Sequence, residues 1–310
     1  MVYNEDYAKR ASELGHGIIT TMEHGYQGRY IEGYELAKKY NLKFVFGVEA
    51  YWVKDRQQIY TENYVDEQGK EKTKEYKDGS NCHICIYALN ENGRQAINDI
   101  LSEANITGFY NQPRIDLDLI YSLPSQDVIV TTACVAFWRY ENIEEIVYGL
   151  HQYFKDNFYL EVQYHNTDKQ KQLNKRISRI AKMQGIKLIM GCDSHYITNE
   201  TSWERDDYLL SKGINYPDED GWYLDYPDGD TAYQRFVEQG VLSNDEINEA
   251  LESTNIFLTV EEYDNPCFNS EIKMPILPEN KGMTQEERDK KYSDLIWSLW
   301  AEEKKNVIKK

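Results

Sequence analysis

The sequence predicts an α/β fold on a parallel sheet, open or closed into a barrel. Two observations predict it. Short apolar, β-branched runs alternate with amphipathic stretches between residues 17 and 191. Residues able to bind metal gather at the ends of those runs, where the strands of such a fold converge on one mouth.

GIITTM (17–22) is the first strand and precedes a helical stretch, RYIEGYELAKKY (29–40). KFVFGVEAYWV (43–53) is the second strand. HICIYAL (83–89) leads into RQAINDILSEA (94–104), and DVIVTT (127–132) into ENIEEIVYGLHQYF (141–154). FYLEVQ (158–163) precedes KQLNKRISRIAKMQG (171–185), and IKLIMG (186–191) closes the series at six strands. Residues 54–80 are charged and lack a core period, so they read as an exposed hairpin or mobile loop inserted into the domain. Residues 213–233 are aromatic, acidic and turn-rich. The alternation stops after about residue 256. The expected organisation is a domain over 1–255, followed by a linker (PILPEN, 275–280) and an amphipathic helix (284–306) within 256–310.

The chain of 310 residues carries 53 acidic and 35 basic side chains, a formal charge of −18. Such a chain repels nucleic-acid backbone unless basic patches or bound cations reverse the local field. No stretch reaches the roughly 20 apolar residues of a membrane span, so no membrane partner is expected. The N-terminus has no signal-peptide core. Five cysteines without disulfide spacing point to a reducing cytoplasm. Cys82 and Cys85 have CxxC spacing, but no second pair accompanies them to complete a zinc knuckle.

Glu23 and His24 follow the first strand, and Glu49 lies at the end of KFVFG. Cys82 and His83 open the third strand, Cys134 follows the fourth, Glu161 and His165 flank the end of the fifth, and Asp193 and His195 follow the sixth. Each has an ordinary reading alone: a loop histidine, a small core cysteine, a solvent-facing glutamate, a helix cap. Their repetition at successive strand ends argues for one shared site. Imidazole, thiolate and carboxylate together suit zinc, manganese or iron rather than magnesium alone. Neighbouring ions of that kind would activate a water and clamp a phosphoryl group.

The segments TMEHG (21–25), GVEAY (47–51), HICIYA (83–88), GFYNQPRID (108–116), TAC (132–134), FYLEVQYH (158–165) and CDSHY (192–196) occur in this order. They resemble the N-terminal PHP (polymerase and histidinol phosphatase) domain of bacterial and phage replicative DNA polymerase III alpha subunits, over roughly residues 5–280. The resemblance implies a distorted TIM-like (βα)7 barrel and a site for up to three divalent metals (zinc, manganese or iron). It places His24, Glu49, His83, Cys134, Asp193 and His195 at ligand positions, with Glu49 bridging two ions, and Glu49, Asp193 and His195 closest to the chemistry. The implied partners are a polymerase core and DNA.

Two departures qualify it. Glu23 stands where the family usually has aspartate. The family's H-x-H at the end of its first strand has no counterpart, through truncation or true loss, and His16 is no substitute for it. The barrel is therefore expected to lack its first strand and to show a gap beside GIITTM, or to be closed there by another segment. The triple-aspartate polymerase site is absent. The function expected is a PHP module with an impaired phosphoesterase or 3′–5′ exonuclease-like site. The alternatives are a non-catalytic scaffold of the polymerase and a free-standing phosphatase of small phosphoesters.

Overall fold

The computed structural model describes residues 4–80, 82–133, 135–214, 221–261 and 277–308. The chain forms two units, Met1–Asp264 and Asn265–Lys310. The first contains α1 (Asn4–Glu13), β1 (Ile18–Thr21), α2 (Tyr30–Lys39), β2 (Lys43–Trp52), β3 (Tyr60–Val65), β4 (Glu71–Tyr76) and β5 (His83–Ala88). It continues with α3 (Glu91–Thr107), β6 (Arg114–Ile115), α4 (Leu117–Ile120), β7 (Val128–Thr131), α5 (Ile143–Phe154), β8 (Phe158–Val162) and α6 (Asp168–Gln184). β9 (Leu188–Met190), α7 (Ser202–Ser211), α8 (Gly229–Gln239) and α9 (Asn244–Ser253) complete it.

All six expected strands form, in the spatial order β1-β2-β5-β7-β8-β9, with β6 added against the end of β2. The sheet is not wholly parallel, however. β5 runs antiparallel to both β2 and β7, while the β1–β2, β7–β8 and β8–β9 pairs are parallel. The reason lies in the connection. A parallel partner for β2 needs a crossover, usually helical, but residues 54–80 supply only the β3–β4 hairpin, whose strand residues are all exposed. The chain therefore re-enters the sheet from the end at which it left.

Strand parity sorts the sheet into two faces. Even-numbered residues of the central strands (Phe46, Val48, Ala50, Ile84, Ile86, Val128, Val130, Phe158, Leu160, Leu188) are buried in the main core, with Ile97, Val147, Leu150, Ile177 and Phe236 of the surrounding helices. Odd-numbered residues line the inner, concave face. At one end that face is apolar: Ile129, Tyr159 and Ile189 pack together with Tyr87, Ile256 and Phe257, the Phe257 ring lying 4.6 Å from Tyr87. The turn over residues 254–259 thus plugs the floor of the half-barrel. At the other end the inner face carries Glu49, His83, Thr131 and Glu161.

Helix ends follow local rules. Thr167 caps α6 through Gln170 N, and Gly185 ends it in the left-handed conformation (φ 67°). Ser243 and Glu246 form a reciprocal capping box on α9.

The expected gap is present: among the described residues, β1 pairs only with β2, and β9 only with β8. Side chains bridge it instead of a strand. From α1, Tyr7 donates its hydroxyl to Ser194 O at 3.1 Å. His16 Nδ1 and the Tyr226 hydroxyl lie 2.9 Å apart. Tyr226 belongs to a short segment hydrogen-bonded alongside 195–197, through His195 N to Leu224 O and Tyr226 N to Ile197 O. His16 is therefore a structural contact.

In the second unit α10 (Gln285–Ile308) exposes Trp297 and Trp300, whose rings meet edge to face at 5.7 Å. The linker expected at 275–280 falls partly outside the described residues, and no helix among those described is long and apolar enough to cross a membrane.

The bridging role of α1 is measurable. Tyr7→Phe removes one part-buried hydrogen bond across the gap and should cost about 1 kcal/mol, read as a lower urea midpoint with unchanged slope. Tyr60→Phe on the exposed hairpin should leave the midpoint where it is.

Candidate metal centre

Backbone register brings the first three candidates together. The β1–β2 pairing aligns Thr21 with Phe46, and the same register continues past the end of β1 to a parallel bridge between His24 and Glu49. Gly25 N donates to Glu49 O and Glu49 N to Glu23 O, fixing the TMEHG segment against β2. On the other side, β5 pairs Tyr51 with His83 and Glu49 with Cys85. Glu49 and His83 are thus diagonal neighbours on one face, within reach of each other. Because β5 is reversed, a histidine that opens its strand arrives at the mouth where the other strands end.

His83 Nδ1 lies 2.8 Å from Glu49 Oε1, and His24 Nε2 lies 3.4 Å from Glu49 Oε2. Ligand atoms of these three residues all fall within 4.8 Å of one another. Two imidazoles and a carboxylate are a donor set for zinc, manganese or iron, and three protein ligands leave a position open for water or substrate. Tyr51 packs over the pair, its ring 5.8 Å from His24 in a stacked arrangement and 5.1 Å from His83 at an angle.

Asp193 and His195 form a second pair beyond the end of β9, with Nε2 and Oδ1 3.2 Å apart. Burial raises the Asp193 carboxyl, but the hydrogen bond and charge of His195, together with His165 and His24, outweigh it and hold the group below its ordinary value. Both groups follow the ends of strands that run in one direction, β1 and β9, so they lie at the same end of the sheet. They do not share one coordination sphere: among the described residues only His24, Glu49 and His83 form a group of three. Cys134 lies outside the described residues. The residue before it, Ala133, is in the left-handed region (φ 40°), a strained placement for a residue with a Cβ.

Glu161, noticed as a strand-end residue but absent from the ligand set the resemblance implies, occupies the wall between the two groups. It is buried on β8, accepting from Thr131 Oγ1 at 2.8 Å and from Gln163 Nε2 at 3.0 Å. Burial, with the negative fields of Glu49 and Asp193, lifts its carboxyl to about 7 against those two hydrogen bonds. Gly191 leaves room for it, since a Cβ there would lie 1.9 Å from Glu161 Oε1. His165 is fully buried beside Trp222, its Nδ1 accepting from Tyr223 N at 3.1 Å, and burial pushes it down to about 4. Its neutral ring therefore carries the proton on Nε2. The two cysteines with CxxC spacing do not form a site: Cys82 donates to Ala136 O in the outer core, whereas Cys85 faces the inside of the sheet.

Comparison with known proteins gives the family of the chain. The PHP domain family matches residues 2–165. DNA polymerase III subunit alpha of Borreliella burgdorferi is 28% identical over 209 residues, 65% of this chain and 17% of that protein. The Campylobacter jejuni subunit is 26% identical over 235 residues (69% and 18%), and that of Saccharopolyspora erythraea 25% over 295 residues (89% and 24%). The chain thus spans a quarter or less of the length of these relatives. A solved structure assigned as a metal-dependent phosphoesterase from Bifidobacterium adolescentis superposes with a TM-score of 0.38 at 13% identity, covering 62% of this chain and 82% of that one.

The raised carboxyl of Glu161 makes a pH prediction for the metal-free protein. Between its unfolded value and about 7, the folded state holds a proton that the unfolded state has released. The stability that this proton contributes is present at acid pH and lost as pH rises through about 7, by about 3–4 kcal/mol in all. Glu161→Gln keeps the shape and should remove that loss, so the two proteins should differ more at pH 8 than at pH 5 in urea unfolding with EDTA present. Parallel pH curves would show that Glu161 is ionised throughout.

Proposed function

The chain belongs to the PHP domain family, and from that premise we propose that it is a polymerase-associated PHP module that binds a divalent transition metal and hydrolyses phosphoesters slowly. The observation that carries this reading is the convergence of His24, Glu49 and His83, with ligand atoms inside 4.8 Å, at the mouth of the half-barrel. The relatives are DNA polymerase subunits, which favours a polymerase core and DNA as the physiological setting.

A metal bound there would supply an acidified water and charge stabilisation for a phosphoryl group. The chain's own residues supply the rest. Glu49 is held by its backbone bonds to Glu23 and Gly25 and by the pairing of β2 with β5, and it offers one carboxylate oxygen to each imidazole, so it sets their spacing. Asp193 and His195, coupled to His24 across the mouth, are placed to hold a second ion or to orient the substrate. Glu161 is buried in the wall behind both groups, hydrogen-bonded to Thr131 and Gln163. The slow rate follows from the donor count. Among the described residues three donors meet in one sphere, and Asp193 with His195 is an incomplete set for another.

Metal analysis with two substrates tests this. After exposure to zinc or manganese, the chain should retain fewer than three ions. It should hydrolyse p-nitrophenyl phosphate and single-stranded DNA well below about 10 s−1, a typical enzyme turnover. Glu49→Gln or His83→Ala should lower metal retention by more than the roughly 10- to 100-fold usual for outer-shell partners. Metal retention unaffected by both substitutions would refute the centre. Fast manganese-dependent exonuclease activity abolished by Asp193→Ala would refute the slow rate. Full metal dependence of stability with no hydrolysis of either substrate would favour the scaffold role.

A further inference from the structure

The β3–β4 hairpin is an arm whose strand residues are all exposed, and among the described residues each of its strands pairs only with the other. An isolated two-stranded ribbon is marginal in water, and three or more strands are needed for independent stability. Yet the base of this arm is rigid. Arg114, fully buried, donates its guanidinium to three carbonyls: Gly108 O at the end of α3 (2.8 Å), Arg56 O on the outgoing leg (2.6 Å) and Asp78 O on the returning leg (2.8 Å). Tyr140 donates its hydroxyl to the Asp78 carboxylate at 3.2 Å. Such a mount fixes where the arm leaves the domain, which a solvated loop does not need.

The two edges of the arm differ. At the turn, Asp66 N donates to Lys70 O at 2.9 Å. Hydrogen-bonded and non-hydrogen-bonded pairs alternate along an antiparallel ribbon. The register from Val65↔Glu71 to Tyr60↔Tyr76 therefore turns the backbone groups of Thr61, Asn63 and Val65 outward on β3, and those of Glu71, Thr73 and Glu75 outward on β4. β3 (YTENYV) carries one charge in its six residues, and β4 (EKTKEY) carries four. Charge guards a free edge, so β4 is guarded and β3 is open.

Pairing between identical strands sharpens the contrast. Two copies of β4 laid antiparallel about Thr73 set Glu71 against Glu75 and Lys72 against Lys74. Laid about Lys72 or Lys74, they set that lysine against itself. Two copies of β3 laid about Asn63 set Thr61 against Val65, Glu62 against Tyr64 and Asn63 against Asn63. No like charges are opposed there.

We propose that the β3 edge is a self-association surface: a second copy of this chain pairs its own β3 antiparallel about a two-fold axis at Asn63. Two hairpins then become one four-stranded sheet, past the strand number at which such a sheet holds. The Thr61–Val65 and Asn63–Asn63 pairs supply the backbone hydrogen bonds. The contact is small, in the size class of transient assemblies, and the charge of −18 on each copy opposes it. Association is therefore reversible and strengthens as salt screens the two bodies. It does not depend on the metal centre or its chemistry.

Sedimentation velocity of the full chain, with EDTA and about 0.15 M salt, should show a monomer–dimer equilibrium with a dissociation constant of roughly 1 μM to 1 mM. Asn63→Lys and Asn63→Asp each place like charges on the axis, and each should weaken the dimer by more than about tenfold. An equimolar mixture of the two variants should restore it as a heterodimer, which loss of the hairpin fold would not allow. Three results would overturn the proposal: a chain that stays monomeric to about 1 mM, a variant mixture that stays monomeric, or a dimer that both variants leave intact. Pairing through the exposed tryptophans of α10 would give the last.

Discussion

The position of Glu49 between two strands of opposite direction is the constraint on which the site depends. On one side the parallel register with β1 places His24 opposite it, and on the other the antiparallel register with β5 places His83 two pairs along, on the same face. Neither histidine is held to Glu49 by sequence proximity. Both arrive through backbone hydrogen bonds, so the geometry of the centre inherits the rigidity of the sheet. A one-residue slip in either pairing would turn the imidazole away into the helical layer.

Negative charge is the second constraint. Glu49, Glu161 and Asp193 face one mouth in a chain that is already strongly acidic. Two of them press on Glu161 and help to keep its proton in place. Without cations, such a mouth repels a phosphodiester. With them, its field reverses at short range, so occupancy of the centre decides not only chemistry but also whether an anionic ligand can approach.

Much of this was legible in the sequence. The six strands and the helices between them follow from alternating apolar runs, and residues 54–80 read as an exposed hairpin or mobile loop because they lack any core period. The direction of β5 was not legible. A strand's hydrophobic period is the same whichever way it runs, and only the missing helix between β2 and β5 hinted at reversal. His24, Glu49 and His83 were picked out as strand-end residues, and they meet. Asp193 and His195 were picked out as well, and they form their own pair nearby. Tyr51 was missed because an aromatic in an apolar strand looks like core, although its parity with Glu49 marks it as inward-facing. The side-chain bridges of Tyr7 and His16 across the gap had no local signal, since each partner lies about two hundred residues away.

The division of the sheet by parity has an evolutionary consequence. Positions that carry stability and positions that carry chemistry alternate along the same strands, so selection can act on one set while the other stays fixed. A lineage could replace Glu49, Thr131 or Glu161 one at a time, losing or retuning a metal centre, without disturbing the helical packing behind them. The same barrel could then outlive its original reaction and persist as a platform for new ligands.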